Sequence, residues 1–115
     1  MSITRIESGS RASQAVIHNG TVYLAGQVGT PGDDVATQTK TILQNIERLL
    51  EAAGSSKNHI LSAMIWLADM ADYEAMNGVW DAWVAQIDPP TRATGESRLA
   101  APEYRIEIMI VAATV

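Results

Sequence analysis

The 115-residue sequence predicts an α+β domain: one mixed β-sheet with two helices lying together on one of its faces. Three observations lead there. Asn19-Gly20 separates two β-prone runs in QAVIHNGTVYLAGQV (14–28). Two segments, 35–53 and 73–87, repeat apolar residues every three or four positions. Between and after them come an unbroken apolar run, ILSAMIWLA (60–68), and an alternating one, YRIEIMIVA (104–112). Each helix is apolar on a single stripe, so each can cover a sheet on one side only.

The Asn19-Gly20 pair specifies a type I′ hairpin turn, because both residues tolerate the positive φ that both central positions need. Residues 3–7 (ITRIE) add a short strand before it. GTPGDD (29–34) is loop, and either Asp33 or Asp34 caps the first helix through its carboxylate. Along that helix Val35, Thr39, Ile42, Leu43, Ile46, Leu49, Leu50 and Ala53 share one stripe, and Gly54 ends it at C′. The run 60–68 is short for a helix and apolar throughout, the pattern of a central strand buried on both faces.

Asp69 or Asp72 opens the second helix, whose stripe is Tyr73, Met76, Trp80, Trp83, Val84 and Ile87. Asp88-Pro89-Pro90 closes it, since a residue before proline avoids the helical region. Residues 92–98 form a weak strand with Gly95 inside. In 104–112, Ile106, Ile108 and Ile110 point one way, and Arg105, Glu107, Met109 and Val111 the other. No repeat or linker interrupts the chain, so 1–115 reads as one domain. Met109, Val111 and part of the hairpin leave the second sheet face apolar, and another subunit is expected to cover it.

Composition removes several functions. There is no cysteine, hence no disulfide, thiolate nucleophile or cysteine-bound metal. Net charge is -5 without a basic run, a poor match to nucleic acid or an anionic membrane surface. No apolar run approaches a membrane span, and MSITRIESGS lacks a signal-peptide core, so a cytoplasmic protein is expected.

Few residues are left to carry chemistry. His18 and His59 have no partner at metal-ligand spacing and read as exposed structural residues. GQVGTPG (26–32) has neither the dinucleotide fingerprint nor the P-loop lysine, and reads as turn-making. Tyr73, Trp80 and Trp83 read as core, with Trp80 or Trp83 able to wall a cleft. Arg92 stands apart. It follows Pro89-Pro90-Thr91, which fix the backbone entering its strand, and a guanidinium at a strand end can hold a carboxylate in two-point fashion. An ion pair to an acid of another chain is the competing reading.

VYLAGQV (22–28), QTKTILQNIERLLEAAG (38–54), IWLADMADYEAMNGVWDAW (65–83), PPTRA (89–93) and YRIEIMIVA (104–112), in this order over nearly the whole chain, resemble the Rid family, the YjgF-type reactive-intermediate deaminases. The resemblance implies a chorismate-mutase-like subunit, a homotrimer around a central barrel, and ligand sites in the clefts between subunits. It implies hydrolysis of small 2-imino or enamino acids, such as 2-iminobutanoate and 2-iminopropanoate, to 2-keto acids and ammonia, with no metal or organic cofactor. Arg92 would grip the carboxylate in a substrate site that includes Ala25, Gly26 and Asn77. The main-chain carbonyl near Thr94 would help place the water.

This sequence departs from the family pattern in four places. Ala12 stands where many members have tyrosine, Ala25 where many have serine, and Thr94 where a cysteine is common. The glutamate that often handles the water falls at Met109. Glu107, two residues earlier on the same strand face, either replaces it or is structural. The alternative to an enzyme is a non-catalytic trimer that binds small carboxylates in a regulatory or protective role. A nuclease activity, known for some relatives, fits the net charge least.

Overall fold

The computed structural model describes residues 2–115. Its elements run β1 (Ile3–Ser8), β2 (Ser13–His18), β3 (Thr21–Leu24), β4 (Gln27–Val28), α1 (Val35–Ala52), β5 (Ile60–Leu67), α2 (Tyr73–Val84), β6 (Thr91–Glu96) and β7 (Ile106–Ala113), with short 3₁₀ turns at Lys57–His59 and Met70–Asp72. The strands form one sheet in the order β1-β2-β3-β7-β5-β6, and β4 also pairs with β7. Among the described residues only β5–β6 is parallel, so the sheet is mixed. Both helices pack on one face, and the molecule measures 43 × 34 × 19 Å, two layers thick. Among the described residues no helix is long and apolar enough to cross a membrane.

Local chemistry sets the elements where the sequence places them. Asn19 (φ 52°) and Gly20 (φ 78°) make the β2–β3 turn. Asp34, not Asp33, caps α1, accepting the Thr37 N–H at 2.8 Å. That N–H, above the other contacts, holds the Asp34 carboxyl below its ordinary pKa, so the charged cap is present at neutral pH and is lost on acidification through the lowered value. At the other end Gly54 and Ser55 donate to Glu51 and Leu50 carbonyls, a Schellman stop.

Four expectations need correction. The strand at 60–68 is buried on one face only: Ala63, Ile65 and Leu67 are covered, whereas Met64 on the other side is 39% exposed. The reason is that both helices occupy one side and none of the described residues covers Met64 on the second. The second helix stops at Val84, before the prolines, and residues 85–87 continue as tight turns. Arg105 lies before β7, and its guanidinium turns to Asp72 instead of joining the Glu107 face. Neither histidine is exposed. Each is half-buried, His59 bonded to Ser56 Oγ at 2.8 Å and His18 to the Ser2 carbonyl at 3.3 Å.

The 26–32 loop also does more than turn. Only Gly32 takes a positive φ (92°). Gly29 lets the chain pass α1, since a Cβ there would sit 2.8 Å from Gln38 Cα and 2.9 Å from its carbonyl oxygen. Gln38, fully buried, donates to the Asp33 and Glu103 carbonyls and accepts the Arg105 N–H, each at 2.9 Å. One amide thus ties α1 to both loops and fixes where β7 begins. Gly29→Ala should therefore destabilise the protein by about 1–3 kcal/mol, the usual scale of overpacking against backbone. An unchanged denaturation midpoint would show that α1 can move aside.

The core lies between the sheet and the helices. Ile106, Ile108 and Ile110 pair across β7–β5 with Leu67, Ile65 and Ala63, and all pack under Ile42, Ile46, Leu49 and Met76. On the opposite face Tyr23 is 49% exposed beside Met64 and Val111, and Leu61, at the β5 irregularity, is 51% exposed.

Candidate functional site

Arg92 is the second residue of β6, the edge strand next to β5. It pairs with Ala63, so its side chain projects to the helix-covered face, toward α2. There Nη1 donates to Asn77 Oδ1 at 2.7 Å and Nη2 to Tyr73 Oη at 3.2 Å. The guanidinium carbon lies 5.7 Å from the Tyr73 ring centre and 5.6 Å from that of Trp80. Tyr73, Asn77 and Trp80, at i, i+4 and i+7 over about two turns of α2, stack along the face that overlies the strand, which is why helical spacing brings them to one cation.

The cluster is unusual for its charge. Arg92 is half-buried, yet both partners are neutral, and it joins none of the ion pairs Arg48–Glu7, Lys57–Glu47 and Arg105–Asp72. Two hydrogen bonds use two of the five guanidinium N–H groups, so three are left without an acceptor among the described residues. A half-buried cation with spare donors at a sheet rim can take an anion, and a planar carboxylate matches the fork.

Glu107 and Gly26 come together elsewhere. Glu107 pairs across the sheet with Trp66 and Val28, on the face opposite the three isoleucines. A Cβ on Gly26 would run into the Glu107 carboxylate, so glycine is what admits that side chain. Ala25 precedes it, its N–H bonded to the Gln14 carbonyl and its carbonyl to Gln27 Nε2. Met109 lies on the same face as Glu107, as expected. Thr94 pairs with Ile65 and so shares Arg92's face; its hydroxyl is buried without a hydrogen-bond partner among the described residues.

Within one chain, then, the candidate residues form two groups. Arg92 and Thr94 lie on the helix-covered face, where Asn77 of α2 meets Arg92; Glu107 and Gly26 lie on the open face. The structure does not bring Arg92 and Glu107 together in a single protomer. One participant was missed by the sequence: Tyr73, assigned to the core stripe, puts its hydroxyl on Arg92. The available signal was its polar tip, which a tyrosine in a buried stripe must satisfy. A concavity of about 690 Å³ bounded by Glu96, Arg98, Leu99, Pro102 and Tyr104 lies beyond the far end of β6, away from the guanidinium.

Residues 2–114 match the family described as Endoribonuclease L-PSP. A RutC family protein of Haemophilus influenzae is 46% identical, over 97% of this chain and 98% of its own. The RutC family protein YoaB of Escherichia coli is 45% identical, over 98% and 99%. Among solved structures, a member of the YjgF protein family from Neisseria meningitidis superposes with a TM-score of 0.96 at 48% identity, covering 100% of this chain and 97% of that one. With the family match spanning residues 2–114 and nearly half of the residues shared over almost the full length of these relatives, the chain belongs to the YjgF/RutC family, the one described as Endoribonuclease L-PSP.

Proposed function

We propose that the protein is a hydrolytic deaminase of small 2-imino or enamino acids, working as a homotrimer in the cytoplasm with its sites between subunits. The observation that carries this reading is the half-buried Arg92 guanidinium with neutral partners and three N–H groups that have no acceptor among the described residues. It would hold the substrate carboxylate. Water adds to the protonated imine carbon, and the carbinolamine then loses ammonia as the C–N bond breaks, leaving the 2-keto acid and ammonium. The protonated imine is already electrophilic, so positioning and one proton acceptor suffice.

Glu107 is the proton acceptor in this reading. Because it lies on the sheet face opposite Arg92, it would serve a substrate held by a neighbouring chain. Subunit packing over the open face also gives cover to Tyr23, Met64 and Val111. A ribonuclease activity is less favoured, since RNA backbones are bound by clustered cations and this cluster has one.

The test is ammonia and keto-acid release from a freshly generated 2-imino acid, with and without protein. Acceleration by the protein is expected. Tight keto-acid binding with no acceleration would assign a non-catalytic carboxylate binder instead. For the assembly, light scattering should give three chains per particle, and Met64→Glu should dissociate it by placing a charge on the open face. A stable wild-type monomer at micromolar concentration would remove the intersubunit site.

A further inference from the structure

We infer that Tyr73 is the residue that sets the carboxylate preference of the Arg92 site, acting as a positioning residue through its hydroxyl. This rests on the carboxylate reading of Arg92 given above. A free arginine fork has many rotamers and five N–H groups, and it commits to a carboxylate only when its plane is fixed. Here the plane is fixed from two sides. Asn77 Oδ1 takes a hydrogen from Nη1, and Tyr73 Oη takes one from Nη2. The Tyr73 and Trp80 rings, at 5.7 and 5.6 Å, hold the remaining directions.

Tyr73 makes both kinds of contact, and it is placed to do so by being the first residue of α2. The turn before it is itself pinned: Asp69 accepts the Ala71 N–H at 2.8 Å, and Glu96, at the end of the same strand as Arg92, accepts the Met70 N–H at 3.0 Å. The helix start and the strand that carry the two side chains are therefore tied together. Both acceptors on the guanidinium are uncharged, so it keeps its full charge for a ligand. An acid in either place would neutralise it. The arrangement orients the fork while leaving it cationic, which favours a carboxylate over an isosteric amide.

The experiment is calorimetric titration of 2-oxobutanoate and of 2-oxobutanamide into wild type, Tyr73→Phe, Arg92→Ala and the double variant. Phenylalanine keeps the ring and its packing, and thermal melting checks that it does. We expect Tyr73→Phe to weaken the acid about tenfold, the scale of one hydrogen bond to a charged group, and to leave the amide within about twofold. In the Arg92→Ala background the same change should add nothing, because its effect passes through the guanidinium. Wild-type affinity in Tyr73→Phe overturns the inference while leaving Arg92 as the anchor, provided Arg92→Ala binds weakly. Equal loss for acid and amide, or loss that persists without Arg92, assigns Tyr73 to packing. Failure of the wild type to bind the acid, or full binding by Arg92→Ala, removes the carboxylate reading and this inference with it.

Discussion

Arg92→Ala is expected to abolish turnover of a carboxylate-bearing imine and to leave the protein folded. A charge-assisted, two-point contact with a largely buried anion is worth on the order of 2–5 kcal/mol, or roughly 30- to several-thousand-fold in affinity. The loss should appear mainly in the specificity constant, because substrate is no longer anchored beside the water. Arg92→Lys should recover little, since an ammonium lacks the planar fork and stacks less well on Tyr73 and Trp80. The required controls are the melting temperature and the oligomeric state. Arg92 makes no ion pair among the described residues, so its removal strands no buried acid there. Dissociation or unfolding of Arg92→Ala would assign the residue to an ion pair between chains.

Glu107→Gln should lower turnover by about a hundredfold or more, the usual contribution of general acid–base help. Its place on the face opposite Arg92 makes a sharper outcome available. If one site takes Arg92 from one chain and Glu107 from its neighbour, the two inactive variants should complement each other. A mixed trimer of Arg92→Ala and Glu107→Gln chains would hold about one intact site in three, because a closed three-membered ring containing both chains has one junction of the right order. If both residues acted from the same chain, every site in the mixture would be defective. Co-expressing the two variants with different affinity tags, purifying the mixed trimers and measuring ammonia release decides it. Activity no higher than that of either parent defeats the shared site, and full activity of Glu107→Gln alone hands the water to another group.

The local elements were legible because their causes are local. Asn19-Gly20 makes its turn from the φ preferences of two residues, and Asp34 caps α1 from three residues away. The Ile106, Ile108 and Ile110 alternation names the buried side of β7 unaided. The errors came where burial depends on what arrives from elsewhere. An apolar run such as 60–68 states that its residues avoid water, not which neighbour covers them, and in this chain Met64 and Leu61 remain uncovered. Gly26 and Gly29 looked like turn residues because glycine's conformational freedom is visible in sequence, while its lack of a Cβ matters only against a partner.

The same division runs through the site. From sequence alone Arg92 could be singled out, by its position after Pro89-Pro90 and the scarcity of other cations, and the family could be named from motifs spread over the whole chain. Tertiary structure decided what surrounds that guanidinium: Asn77 and Tyr73 fifteen and nineteen residues away, neutral, with Trp80 behind them. It also decided that Glu107, as far from Arg92 in sequence as Asn77 is, stands on the other side of the sheet. Strand parity fixes the face of each residue relative to its own strand, but which faces of β6 and β7 coincide is set by their register through β5, a relation that exists only once the chain has folded.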